Sequence, residues 1–253
     1  MRIALFLVGL GVAVHAWAGQ CVAESGARTA ALVELYTSEG CSSCPPADHW
    51  LSSLTKRGYG PDRVVPIALH VDYWDYIGWK DPYAKRAFSL RQRKLTQRQR
   101  MALVYTPQVM LQGRDFRAWG KPAFDEAVAG INARPAAAKI RLEIAALDAR
   151  GVRVRAVADL YGTRRGAAAL YLAAYANRLE SRVSAGETRG RTLRHDHVVL
   201  EWQGPYDLSA GPLRIERLLP LLPDAVPGNS GVVGFVQDRR SAAVLQALML
   251  PAC

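Results

Sequence analysis

Two cysteines flank a pair of serines, Cys41-Ser42-Ser43-Cys44, between a segment that reads as a strand and one that reads as a helix. Ala30 to Thr37 is a short apolar run with β-branched and aromatic members, as a largely buried strand requires. Ser38-Glu39-Gly40 interrupts it, Pro45-Pro46 turns the chain, and Ala47 to Lys56 carries Trp50, Leu51 and Leu54 at helical spacing. Two thiols at such a corner can close a small ring and reopen it. The first then lies near a helix N-terminus, where unpaired N–H groups and the positive dipole end favour a thiolate. That setting lowers a cysteine pKa from about 8.5 to about 3.5–7.5. The thiolate is both nucleophile and leaving group of disulfide exchange, so Cys41 is expected to attack and Cys44 to resolve.

A Cys-x-x-Cys pair also occurs in zinc ribbons and structural bridges, but a ribbon needs a second pair, which Cys21 and Cys253 do not supply. A second feature discriminates further. Thr106-Pro107 interrupts an otherwise good strand, Val104 to Leu111, where proline is costly without a particular use. A cis-proline beside the cysteines would keep the site open and offer backbone groups to an extended substrate. Sequence does not fix the isomer.

The remaining chain divides in two. Val64 to Val71 reads as a second strand, with Pro66 counting against a central position, and Asp81-Pro82 as the start of a helix over Tyr83 to Met101. Pro122 to Ala133 reads as a further helix. Alternating strands and helices over residues 27–135 make an α/β pattern. Beyond Arg134-Pro135, strand candidates succeed one another at Ile140–Ile144, Val152–Val157, Ala168–Ala176, Leu193–Trp202, Leu213–Leu218 and Ser230–Gln237. Period-2 alternation with Gly and Pro punctuation predicts an antiparallel β-sandwich-like domain over 136–253.

The N-terminus bounds the compartment. Arg2, an apolar run from Ile3 to Val14 and Ala16-Trp17-Ala18 describe an export signal over residues 1–18. The run falls short of the roughly 20 apolar residues of a membrane span, so no stable membrane insertion is expected. Gln20 argues against a lipid anchor at Cys21. All four cysteines follow the signal, and an exported chain meets an oxidising, periplasmic or extracellular compartment. Cys21 and Cys253 bracket the mature chain and are candidates for a structural bridge, although spacing does not fix the pairing. The formal charge is +11 over 253 residues, with much of the excess between Lys85 and Arg100. With Phe88 as its single aromatic that stretch reads as a solvated helix face, and no nucleic-acid partner is expected.

Other residues have two readings each. His70, Asp72 and Trp74 share one parity near the cysteine loop. Asp72 is a candidate proton acceptor and Trp74 a candidate wall of a substrate groove; the alternative is a helix cap and core packing. Thr106 is a candidate for orienting substrate. Cys41 and Cys44 with His49 or His70 have the softness for copper or zinc. His195 and His197 are expected at the surface rather than at a metal.

Val33-Glu34-Leu35-Tyr36-Thr37-Ser38-Glu39-Gly40-Cys41-Ser42-Ser43-Cys44-Pro45-Pro46-Ala47-Asp48 resembles the signature of a family of uncharacterised secreted proteins within the thioredoxin-like superfamily. His70 to Pro82 and Tyr105-Thr106-Pro107-Gln108-Val109 are similar to its second and third blocks, and Gly190 to Asp196 is a weaker fourth. The resemblance implies a thioredoxin-like α/β domain with Cys41 and Cys44 as the redox pair and Pro107 as the cis-proline. It implies no substrate. Ser42-Ser43 replaces thioredoxin's Gly-Pro, so the potential does not carry over. Pro45 disfavours helical angles at Cys44, which delays the expected helix start. Leu35 stands at the spacing of thioredoxin's buried carboxylate, leaving a proton relay unassigned. The expected function is an exported thiol–disulfide oxidoreductase acting on protein thiols or disulfides and calling for no cofactor. A binding module with a static disulfide, and a copper or zinc chaperone, are the rivals. Oligomeric state is not legible.

Overall fold

The first strands form where the apolar runs lie: β1 (Val22–Glu24), β2 (Ala31–Thr37) and β3 (Val64–His70), with helix α1 (Pro45–Ser53) between the last two. The computed structural model describes residues 21–162, 166–221 and 228–253, so the expected export signal lies outside the described residues. A 3-10 turn (Asp72–Ile77), α2 (Arg86–Arg98), β4 (Gln108–Leu111), β5 (Arg114–Asp115) and α3 (Pro122–Asn132) complete the first half. The second half holds β6 (Ala138–Asp148), β7 (Gly151–Leu160), β8 (Ala168–Ala176), β9 (Leu179–Arg182), β10 (Thr192–His195), β11 (Val198–Asp207), β12 (Leu213–Leu219), β13 (Ser230–Asp238) and β14 (Val244–Pro251).

The expected α/β thioredoxin-like domain followed by a separate antiparallel sandwich is overturned. Strand makes up 43% of the described residues and helix 17%. Strands of both halves share one mixed eight-stranded sheet, ordered β14-β13-β8-β11-β3-β2-β4-β5. The join is a parallel pairing of β11 on β3 at Val198 and Ala68, reinforced by the Ala68 N–H donating to the His197 carbonyl at 2.8 Å. A second sheet, β1-β6-β7-β12, lies over the β8, β13 and β14 end of the first, and β9 and β10 form a two-stranded ribbon.

Pro66 sits in a central strand for a reason that register explains. It shares its parity with Ala68, so its missing N–H would point toward β11, which begins to pair only at Ala68.

Strand parity sorts the core into three clusters. Leu32 and Tyr36 of β2 face α2, packing with Phe88 and Leu95. Val33 and Leu35, on the opposite face, meet Leu51 of α1 and Phe124 and Val128 of α3. Leu170 and Leu172 of β8 pack against Ile140, Leu142 and Val154 of the second sheet. These side chains are fully buried, and truncating one of the phenylalanines to alanine costs about 3–5 kcal/mol.

Several local expectations change. Helix α2 starts at Arg86, not Tyr83, because Asp81 accepts the Tyr83 N–H at 2.9 Å in a turn ahead of the helix. The stretch expected as one strand over Leu193–Trp202 is two strands, broken where His197 takes a left-handed φ of 59°. The basic face of α2 is not wholly solvated. Arg91 turns inward, where its Nε and Nη2 donate to Glu34 at 2.7 and 2.8 Å while the guanidinium lies 4.7 Å from the Trp202 ring centre.

Candidate functional site

The loop after β2 carries Cys41 and Cys44 to the start of α1, where they form a disulfide with Cα atoms 5.5 Å apart. The turn is fastened by its own backbone: Cys41 N–H donates to Ser38 O and Cys44 N–H to Cys41 O, both at 3.2 Å. Cys44 caps α1 with φ −78° and ψ −37°, helical angles in spite of Pro45, and the helix begins at Pro45. The expected supply of free N–H donors to a Cys41 thiolate is reduced, with Ser43 keeping an N–H untaken among the described residues. Pro45 and Pro46 have none. Ala47 and Asp48 donate to Cys44 O at 2.9 and 3.2 Å, and Ser42 N–H is taken by Glu187 at 2.9 Å. The Ser43 hydroxyl, 3.4 Å from Cys41 Sγ, is the polar neighbour of that sulfur.

The site is covered rather than open. Both cysteines have zero exposure while Ser42 and Ser43 are exposed, and neither sulfur belongs to one of the three apolar clusters. A strap, residues 183–191 between β9 and β10, closes over the turn. Its Glu187 carboxylate accepts from Ser42 Oγ at 2.7 Å as well as from Ser42 N–H, and Thr188 Oγ1 donates to the Glu39 carbonyl. Gly186 packs closely against Ile77 at a left-handed φ of 77°, which disfavours a side chain there.

Behind the turn lies a buried polar cluster. His70 Nδ1 meets Asp81 Oδ2 at 2.7 Å, and His195 Nε2 meets Glu39 Oε1 at 3.1 Å. The two imidazoles stand edge to face with centres 4.9 Å apart. Asp48, one helical turn after Cys44, accepts from Thr37 Oγ1 at 3.2 Å. Burial raises the Asp48 pKa, against the pull of His195 and His70. Burial opposes the charge on His70, but the Asp81 carboxylate outweighs it and holds the pKa above the usual value; Asp81 is lowered in return despite its own burial. His70 Nε2 and His195 Nδ1 are buried without a partner. A cleft of about 340 Å³ opens beside this cluster, lined by Asp48, His49, Leu193 and His195 among others. His195 and His197, expected at the surface, are 3% and 9% exposed, and burial depresses His197 to about 4. Among the described residues no group of three His, Cys, Asp or Glu side chains is arranged to hold a metal, and His70 is committed to Asp81.

The other sequence candidates fall on two sides. The Thr106–Pro107 bond is cis. Thr106 Oγ1 accepts from Trp74 Nε1 at 2.7 Å, and a Cβ on Gly40, the residue before Cys41, would lie 3.4 Å from Trp74 Cβ. Trp74 therefore links the proline loop to the cysteine turn. Next to Pro107 runs an open groove of about 600 Å³, formed by residues 101–105 with Arg117 and Trp119. Trp119 packs on Trp50 of α1 at 5.2 Å. Asp72 turns away to α2, where Ser89 donates to its side chain and also accepts its N–H. Cys21 and Cys253 are bonded to each other across a separation of 232 residues.

Glu39, Asp48, Asp81 and Glu187 were not singled out from the sequence as site residues. The first three lie inside the motif blocks and could have been found by asking which acids flank the cysteines. Glu187 had no local signal, because it reaches Ser42 from 145 residues away.

With this geometry in hand, the comparisons are informative about kinship more than chemistry. A family model described as a protein of unknown function, DUF1223, matches residues 32–237. A crystal structure of a protein from Agrobacterium tumefaciens is 25% identical, covering 90% of this chain and 96% of that one with a TM-score of 0.64. HBP35 of Porphyromonas gingivalis is 15% identical over 90% of this chain and 76% of its own, with a TM-score of 0.68. No functionally curated protein matches the sequence.

Proposed function

The chain belongs to the DUF1223 family, whose function is unknown, and on that premise we propose that it is an exported thiol–disulfide oxidoreductase working through Cys41 and Cys44. The observation that carries the reading is the closed Cys41–Cys44 ring at a strand–helix corner, outside every apolar cluster and beneath exposed Ser42 and Ser43. A purely structural staple gains little here, since a ring of four residues removes little chain entropy. The resemblance of the cysteine and proline blocks to uncharacterised secreted proteins of the thioredoxin-like superfamily is its support in sequence, and the two disulfides suit a periplasmic or extracellular compartment.

In the reduced protein, the Cys41 thiolate attacks one sulfur of a substrate disulfide and expels the other as a thiolate. Cys44, deprotonated, then attacks Cys41 Sγ, closing the ring and releasing the second substrate thiolate. Two electrons pass from the protein to the substrate, and the reverse sequence oxidises a substrate dithiol. In this reading Asp48, buried one turn after Cys44 and lining the cleft, exchanges the Cys44 proton with solvent. The groove beside Pro107, lined by residues 101–105 with Arg117 and Trp119, receives an extended peptide.

The covered disulfide favours one rival, a binding module whose Cys41–Cys44 bond is inert. Turnover of insulin disulfides in the presence of a dithiol separates the two. The proposal expects turnover by the intact protein and its loss in Cys41→Ala. Equal, background rates in both would overturn it.

A further inference from the structure

Resting on that reading, we infer that Glu187 is a positioning residue that restrains the redox pair by acting through Ser42 on Cys41. It takes a hydrogen-bond donor next to the sulfur and sets a negative charge beside it, so the Cys41 thiolate is disfavoured.

A thiolate at a helix mouth is stabilised by N–H groups and by nearby positive charge. Here Pro45 and Pro46 supply no N–H, and those of Cys44, Ala47 and Asp48 are bonded to backbone carbonyls. The Ser42 N–H, which could have turned toward an anion at Cys41, is held with the Ser42 hydroxyl by one Glu187 oxygen at 2.9 and 2.7 Å. Ser43 is left to the sulfur, through its Oγ at 3.4 Å and an N–H that no carbonyl or carboxylate among the described residues takes. Those two bonds from Ser42 in turn keep the Glu187 carboxyl ionised, below the usual range. The carboxylate is fixed where it stands by the strap, which Thr188 ties to Glu39 and Gly186 packs on Ile77.

The other charged groups around the turn are already matched. Glu39 from the loop is bonded to His195 of β10, Asp81 ahead of α2 to His70 of β3, and Asp48 of α1 to Thr37. Arg189 and Arg191 of the strap are exposed. Glu187 is the carboxylate that touches the cysteine turn itself.

The test reads Cys41 alone, on the reduced full-length protein, from the pH dependence of its alkylation by iodoacetamide followed peptide by peptide in a mass spectrometer. Glu187→Gln removes the charge with little change of shape. It is expected to lower the Cys41 pKa by about half a unit to one unit, the weak end of the Coulomb range because Glu187 is exposed. Glu187→Ala should do the same, and Glu126→Gln, an exposed acid on α3, should not. An unchanged pKa with a faster plateau in both Glu187 variants would mean that the strap only covers the site and would overturn the inference. An unchanged pKa and plateau would overturn it as well. Because no substrate takes part, this outcome is independent of insulin turnover, whose absence would instead sink the proposed function.

Discussion

Removing the partner of Arg91 should be among the most damaging single changes in this protein. Glu34 is fully buried in β2 and Arg91 side-chain exposure is 11%; two guanidinium nitrogens donate to the carboxylate, and Tyr36 OH adds a third bond at 2.8 Å. The guanidinium also stacks among Tyr171, Trp202 and Phe235, so it cannot retreat to water without unpacking them. Glu34→Gln leaves a buried cation facing a neutral amide, a loss of about 3–5 kcal/mol. For a chain of this size each kcal/mol lowers Tm by about 2–4 °C, so thermal unfolding followed by circular dichroism should move down by roughly 10 °C. The double variant Glu34→Leu with Arg91→Met replaces the pair with apolar groups and should recover most of that loss. A Glu34→Gln protein within about 1 kcal/mol of the parent, or a double variant worse than the single one, would refute this reasoning.

Four further outcomes follow from the same structure. Cys253→Ser opens the ring closed by Cys21, whose 232-residue separation corresponds to about 5 kcal/mol of chain entropy, and guanidinium unfolding should show a loss of that order. His197, neutral at about 4 when folded against 6.5 as a free side chain, contributes stability that is whole above pH 6.5 and is lost as pH falls to 4. The full loss is about 3 kcal/mol, and His197→Asn, which tolerates the left-handed backbone, should flatten that part of a urea-stability profile. His70 has the opposite sign: its pKa is raised, so the Asp81 pairing contributes below pH 6.5 and fades as pH rises through the folded value, and His70→Gln should remove that fall. Finally, Ser43→Ala should raise the Cys41 alkylation pKa by about half a unit, by removing the hydroxyl beside the sulfur.

What was legible in the sequence was local. Ala168–Ala176 and Ser230–Asp238 were read nearly to the residue because uninterrupted apolar runs between turn residues have few alternatives. The strands on either side of the Asp148–Gly151 turn were legible as two alternating segments, Ile140–Ile144 and Val152–Val157. What was set by distant parts of the chain failed, the Cys21–Cys253 bridge excepted. No local pattern says that β11 will pair with β3, and that pairing is what turns two expected domains into one sheet. His195 looked like a surface residue because its partner Glu39 lies 156 positions away. Arg91 looked solvated because the aromatic floor beneath it comes from β8, β11 and β13. At the candidate site the cysteines and the proline were visible. The strap that covers them was not, since Glu187 carries no motif of its own.

The central claim is that Cys41 and Cys44 exchange electrons with other thiols, and the most direct measurement is their reduction potential. Equilibrating the protein in graded glutathione or dithiothreitol buffers and counting the Cys41 and Cys44 thiols gives it. The account predicts a value within the range of working dithiol proteins, about −120 to −270 mV. A value below about −300 mV, where structural disulfides lie, would contradict it.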